Sequence, residues 1–524
     1  MNHIELFAGC GGLSLGLESV GFELLFANEL SPMAAETFSY NFFNEDLEEK
    51  ANQQIKSENV FWLNSKFPDL KSRLRENPYE YPQVFKEGYS DFPSDSNSLD
   101  GKLIVGSIIE LNRLLDSSPE VVMSLRKAFG RNGGVDLVSG GPPCQSFSMA
   151  GKREKNSDKN MLPWEFAKFV EFTQPKVVLL ENVTGILRVF KDTQGNNFHA
   201  WYEVAKVFAS IGYIPLCLHV NARKAGVAQN RPRFIMLGIR ANYFETISVR
   251  FNQTEEELFK QSLTFYDLAN ELGEKLEFGH LKFFDSTKTN DLPYFQNSFL
   301  EHLVNNNEVS VHEAIDDLKI HNPSEPSEFV VNLNRRFDRL IPRLEVLNHD
   351  LRSNNPLVKR RFRLYQVLQS VSQRSVTKSV FSVLKHEGKE ITQEAWTTLS
   401  KYKFLHENGE LYLFETKREF EHYLEAHPTK KQTQKALIAD SPAPAALSIP
   451  DDACHYDEHE LRVLTVREMA RIQSFPDNFV FRSKITTGGQ MRKFEVPQYT
   501  QVGNAVPPVL GAALGQCIHE ILRK

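Results

Sequence analysis

Near its amino terminus the chain reads His3-Ile4-Glu5-Leu6-Phe7-Ala8-Gly9-Cys10-Gly11-Gly12-Leu13-Ser14-Leu15. A short apolar run passes into a glycine cluster, and a helical pattern begins at once over 13–19. A strand, a glycine turn and a helix in immediate succession open a doubly wound α/β sheet, and the glycines let a ligand approach backbone N–H groups at the helix N-terminus. The dinucleotide fingerprint G-x-G-x-x-G would need a third glycine at position 14, where Ser14 stands, and no Lys-Ser/Thr pair follows for a phosphate loop. Nicotinamide dinucleotides and nucleoside triphosphates are therefore disfavoured.

Working outward, the second predicted strand ends on Glu29, where a carboxylate can accept from both hydroxyls of a ribose. A nucleoside without a pyrophosphate, such as S-adenosylmethionine, satisfies both features. Seven strands are predicted in the first 240 residues, at 3–8, 23–28, 102–105, 135–139, 176–180, 215–220 and 233–239, separated by amphipathic stretches. Residues 41–101 are too long for an ordinary strand-to-helix connection and read as an acidic surface insertion with helix around 60–74. Periodicity is irregular from about 245 to 450, a Pro/Ala-rich stretch over 441–450 reads as a linker, and helical spacing returns at 465–475 and 509–522.

Three more strand ends carry chemistry. After the fourth comes Gly140-Gly141-Pro142-Pro143-Cys144-Gln145-Ser146, which places a cysteine where open α/β sheets bind ligands. After the fifth comes Glu181-Asn182-Val183, a carboxylate following four apolar residues and able to share a proton with a substrate. Before the seventh stands Gln229-Asn230-Arg231-Pro232-Arg233, two guanidiniums on one strand face that can hold a carbonyl oxygen or a phosphate. Cys217 and Cys517, inside a strand and a helix, read as small buried hydrophobes. Cys454-His455 with His459 lacks further ligands at zinc-like spacing, so it reads as solvated linker and no metal site is expected.

Composition bounds the rest. The 524 residues suffice for two to four domains or one large domain with an insertion, and 41% hydrophobic with 24% charged residues exclude global disorder. Five scattered cysteines without a C-x-x-C pair argue for a reducing cytoplasm. No 18-residue apolar run occurs, so no membrane association is expected, and a strand starting at His3 leaves no room for a signal peptide. The net charge of −6 hides an asymmetry: residues 31–100 hold 7 Lys/Arg against 13 Asp/Glu, residues 351–405 hold 11 against 3. The basic segment is interleaved with Phe362, Tyr365, Phe381, Trp396, Tyr402 and Phe404, which is the footprint of a nucleic-acid contact.

In order and spacing these blocks resemble the C5-cytosine DNA methyltransferases of bacterial restriction-modification or defence systems. The match runs through 7–12, Glu29, Pro143-Cys144-Gln145, Glu181-Asn182-Val183, Gln229-x-Arg231-x-Arg233, Arg467-Glu468-Met469-Ala470-Arg471-Ile472-Gln473 and Gln501-Val502-Gly503-Asn504-Ala505-Val506-Pro507. The resemblance implies a mostly parallel, Rossmann-like S-adenosylmethionine-dependent methyltransferase fold with a smaller target-recognition domain inserted. Residues 1–244 would form the catalytic domain, 245–450 the recognition domain, and 451–524 the return that completes the catalytic domain.

It further implies that Cys144 adds to C6 of a flipped cytosine, with Glu181 on N3 and the exocyclic amine and Arg231 and Arg233 on O2 and the backbone. S-adenosylmethionine would lie against Phe7, Ala8, Gly9, Gly11, Gly12, Leu13, Glu29, Ser107, Ile108, Pro143, Asn504 and Val506. Pro142, Gln145, Ser148, Asn182, Gln229, Arg360, Arg361 and Arg363 would meet double-stranded DNA. A cognate restriction endonuclease or other defence component is the candidate partner. Two other activities are weighed against this: methylation of tRNA by the family's RNA branch, which the long middle segment disfavours, and an inactive DNA-binding regulator, which the intact motifs disfavour. One departure stands out: relatives often carry Gly-Asp-Ile where this chain has Gly106-Ser107-Ile108.

Overall fold

The computed structural model describes residues 1–83, 86–143, 161–191, 195, 197–304, 307–343, 345–427, 435–445 and 447–524. One nine-stranded sheet organises the chain. Its strands are β1 (Asn2–Leu6), β2 (Glu23–Glu29), β3 (Val60–Trp62), β4 (Lys102–Val105), β5 (Leu137–Gly140), β6 (Val177–Val183), β7 (Tyr213–Asn221), β8 (Pro232–Arg240) and β9 (Phe283–Asp285). They lie in the order β9-β7-β8-β6-β5-β1-β2-β4-β3. Every neighbouring pair is parallel except those of β8, which runs antiparallel to both β6 and β7. The chain leaves β1 towards β2 on one side and later fills β5 on the other, so the strand order switches there and opens a crevice at the carboxyl ends.

All seven predicted strands are present, and two more extend the sheet. The helix expected over 60–74 is not formed as such. Val60-Phe61-Trp62 pairs with β4 as an edge strand, because β-branched and aromatic residues suit a pleated surface and Trp62 is buried. Only Leu70–Arg73 is helical, started by Asp69, whose side chain accepts from the Ser72 N–H.

The stretch expected as one recognition domain divides in two. The helix Gln253–Leu272 lays Leu258, Phe259 and Phe265 into the cores on the sheet, and Phe299, Val311 and Ile315 join them. A separate core belongs to the helices Pro356–Val371, Arg374–Leu384, Gln393–Leu399 and Lys417–Glu425, built on Leu364, Val376, Val380, Leu399 and Phe420. The linker reading of 441–450 is also corrected. Ala443 and Leu447 are buried, and Ala443 exchanges backbone hydrogen bonds with Ala228 and Asn230. Cys454 and His455 are buried rather than solvated, in a short parallel pairing of Ala453–Cys454 with Lys435–Ala436. Cys217 and Cys517 are buried free thiols, as expected.

The C-terminal helix Pro508–Arg523 returns onto the first helix, Gly12–Glu18. Their backbones touch: a Cβ on Gly16 would lie 2.4 Å from the Pro508 carbonyl oxygen and 2.5 Å from the Ala512 nitrogen. Among the described residues no single helix is long and apolar enough to cross a membrane. Since backbone cannot yield as a side-chain tip can, Gly16→Ala is expected to lower the unfolding free energy by about 1–3 kcal/mol, read from the denaturant midpoint.

Candidate active site

Between β1 and the first helix the backbone turns through left-handed conformations at Phe7 (φ 56°), Gly9 (φ 57°) and Gly11 (φ 92°). A Cβ on Gly9 would meet nothing, so the turn is open to a ligand there. On Gly12 it would lie 2.3 Å from the Val506 carbonyl oxygen. Ala8 and Leu13 are buried. Glu29, at the carboxyl end of β2, accepts from the Gly9 N–H (2.7 Å) and the Ser31 N–H (2.8 Å), and burial pushes its carboxyl upward. Each oxygen of a carboxylate carries two acceptor sites, so these backbone bonds leave capacity for a ribose hydroxyl. The acidic residue, the open glycine and the rim of Ser107 and Ile108 fit a nucleoside cofactor without a pyrophosphate.

Asn28 binds this rim together by donating to the carbonyls of Ile104 (3.0 Å) and Gly106 (3.1 Å). Ser107 begins the helix Ile108–Asp116 as its N-cap, its hydroxyl accepting from the Ile109 N–H. Ile108 is buried. Below the turn, Glu5 is buried and bonded to the Ser14 hydroxyl, and burial pushes its carboxyl up to about 8.

Across the switch point, β5 ends in Gly140, and Pro142 is buried while Pro143 is exposed. The Pro142 carbonyl accepts from the Asn182 side chain at 2.8 Å, joining the ends of β5 and β6. Cys144, Gln145 and Ser148 lie outside the described residues. Glu181 Oε1 sits 2.6 Å from Arg233 Nε, and its Oε2 lies where a Cβ on Gly141 would come within 2.9 Å. Glycine at 141 therefore keeps space beside the carboxylate.

The two arginines separate. Arg231 does not reach Glu181. Its Nη2 donates to the carbonyls of Gly503 (2.8 Å) and Ala505 (2.9 Å), and burial with the neighbouring Arg233 pushes its pKa down. Gln229 is fully buried and donates to the Pro444 carbonyl at 3.0 Å, so its amide is turned into the protein. Asn504 is exposed and Val506 half-buried beside Gly12. In the helical unit, Arg363 is buried, donating to the Lys403 carbonyl and pairing with Glu458, while the half-buried Arg360 pairs with Glu407. Arg361 is half-buried. Phe362, Tyr365 and Phe404 are core residues, so the aromatic interleaving reflects packing of a helical unit.

The Arg-Glu-x-x-Arg-x-Gln segment holds the structure together. Buried Arg467 donates to the carbonyls of Leu347, Pro476 and Phe479, Glu468 pairs with Arg462, and Arg471 pairs with Asp317 and Asp477. Gln501 likewise donates to the carbonyls of Met33, Arg482 and Val496. Ser31, whose N–H orients Glu29, was not singled out from the sequence, although Ser31-Pro32 is a helix-start signal and caps Pro32–Phe42.

Residues 1–71 and 124–520 match the family model described as C-5 cytosine-specific DNA methylase. The chain belongs to that family. Ser107 falls in the unmatched interval. Among relatives, the type II methyltransferase M.DdeI of Desulfomicrobium norvegicum is 25% identical, over 99% of this chain and 88% of its own. The type II methyltransferase M.Bpa9945I of Bacillus paralicheniformis is 24% identical, over 99% and 98%. M1.HphI of Haemophilus parahaemolyticus is 23% identical, over 99% and 86%. The chain is thus a DNA cytosine methyltransferase, and S-adenosylmethionine-dependent catalysis follows from the family.

Aspartate caps a helix as well as serine and adds a charged acceptor, so Ser107→Asp is expected to fold normally and to tighten S-adenosylmethionine binding severalfold by calorimetric titration. Weaker binding would show that Ser107 does not face the cofactor. Glu5 bears on pH. Its carboxyl in the unfolded chain titrates near 4.5 and in the folded protein near 8. Between these values folding takes up a proton, so its contribution makes stability fall as pH rises through that window. Glu5→Gln is expected to flatten that slope in denaturation measured from pH 5 to 8.5.

Proposed function

We propose that the enzyme flips a cytosine out of a short duplex DNA motif and methylates its C5 carbon from S-adenosylmethionine. The observation that carries this reading is the meeting, across one switch point, of the Glu181–Arg233 ion pair with the open glycine turn and Glu29. Bound there, the cofactor supplies an electrophilic methyl group on a sulfonium. Glu29 would hold its ribose, Phe7 its adenine, and Ser107 the adenine amine.

Cytosine C5 is a poor nucleophile until a thiolate adds to C6, and Cys144 is the residue assigned to that addition. Glu181, fixed by Arg233 through Oε1, would present Oε2 to N3 and the exocyclic amine and stabilise the adduct by protonation. The Pro142 carbonyl, which also accepts from Asn182, would accept a hydrogen bond from the amine that thymine lacks. C5 of the adduct would then take the methyl group as the bond from methyl to sulfur breaks. Removal of the C5 proton by a base would expel Cys144 as a thiolate, the C6–S bond breaking and the 5,6 double bond re-forming.

Unstacking the base costs a few kcal/mol, which contacts to phosphates and groove edges must offset. We assign these to the helical unit of residues 356–425, through its exposed Lys359, Arg374, Lys378, Lys389, Lys401 and Lys403 rather than the inward-facing Arg363. A companion restriction endonuclease reading the same motif is the fitting partner. Base-resolution 5-methylcytosine sequencing of a methylation-deficient bacterial host tests the whole reading. One short motif is expected to be methylated with the native chain and bare with Cys144→Ala. Bare DNA in both, with soluble protein that binds S-adenosylmethionine, would overturn it.

A further inference from the structure

We propose that Arg231 is a positioning residue, a guanidinium tie that holds segment 503–506 down on the glycine turn and so couples the cofactor side of the crevice to the Glu181–Arg233 side. The assignment of the two sides rests on the reading above. The tie itself rests on geometry. Arg231 and Arg233 stand two residues apart at the start of β8, and both are buried, yet among the described residues only Arg233 reaches a carboxylate. Arg231 spends its Nη2 on the carbonyls of Gly503 and Ala505. These close the helix Gln498–Asn504, whose carboxyl end bears partial negative charge. A buried guanidinium is costly unless well hydrogen-bonded, so the segment that provides these carbonyls is held in place by the cation's need for them.

The segment has no slack in which to give way. The Val506 carbonyl stands where a Cβ on Gly12 would come within 2.3 Å, and a Cβ on Gly503 would come within 2.5 Å of Ser448 Cα. The other end of the tie is equally fixed. The Arg231 N–H donates to Asn221 Oδ1 at 3.0 Å, and Asn221 Nδ2 donates to Asn230 Oδ1 at 2.7 Å. A continuous path therefore runs from the glycine turn through 503–506 and Arg231 to Arg233 and Glu181. Lysine cannot copy it, because its side chain is one bond shorter than the path to Nη2, the single nitrogen that reaches both carbonyls.

The test uses full-length Arg231→Lys, with S-adenosylhomocysteine as the titrated probe, and amide hydrogen exchange of 498–507 in the ligand-free protein. Loss of one charge-assisted hydrogen bond corresponds to about a tenfold rise in the dissociation constant for S-adenosylhomocysteine and in KM for the methyl donor. Turnover is expected to fall much less, and exchange at 503–506 to accelerate. Arg233→Lys is expected to do the reverse, lowering kcat with S-adenosylhomocysteine affinity near native. Should Arg231→Lys not fold, Arg231→Gln, whose neutral amide keeps a donor, carries the same measurements. Native affinity and native exchange in the variant, with a fall in kcat alone, would overturn the tie and place Arg231 at the base. If native protein failed to bind S-adenosylhomocysteine, the cofactor assignment would fall, and the exchange measurement would still decide the tie.

Discussion

The contact on which the site depends is the backbone-to-backbone approach of the first and last helices. Gly16 lies against Pro508 and Ala512, Gly511 against Leu13, and Gly12 against the Val506 carbonyl. Side chains larger than hydrogen at these glycines would separate the helices by a methyl group or more. With the helices in contact, segment 503–506 forms a wall of the glycine turn although it stands about 490 residues away in the chain. The sheet is therefore closed by the helices Gly12–Glu18 and Pro508–Arg523, and the helix Gln253–Leu272 packs into the same cores.

A second constraint is the direction of β8. In a parallel sheet ligands meet the carboxyl ends of strands, so residues at the start of a parallel strand lie on the far edge. Because β8 is antiparallel to β6 and β7, its amino end lies beside the carboxyl end of β6, and Arg233 pairs in register with Val183. That reversal brings the arginines to the crevice. It also distinguishes them: a two-residue spacing puts both on one face, but only Arg233 is within reach of Glu181.

Much of the charge in the shared motifs is structural. Arg467, Glu468, Arg471 and Gln501 are buried and satisfied by carbonyls and opposite charges, tying 314–348 and the C-terminal return to the sheet. Removing one partner would leave a buried charge uncompensated, which costs several kcal/mol. A motif of polar residues can thus be essential without touching substrate, and Arg231 shows how such a residue can still bear on the reaction.

By itself the sequence determined the strand order of appearance, the glycine turn, Glu29 and the strand-end residues, because strand periodicity and turn chemistry are local. The seven predicted strands and the turn between β1 and the first helix are properties of short segments read in order. What lay beyond it was everything set by partners distant in the chain. Val60-Phe61-Trp62 became a strand because β4 offered an open edge, and the basic, aromatic segment became a helical core because its apolar faces had one another to bury. Only tertiary structure could divide Arg231 from Arg233, since their difference lies in which acceptors, Gly503 and Ala505 or Glu181, the fold brings within 3 Å.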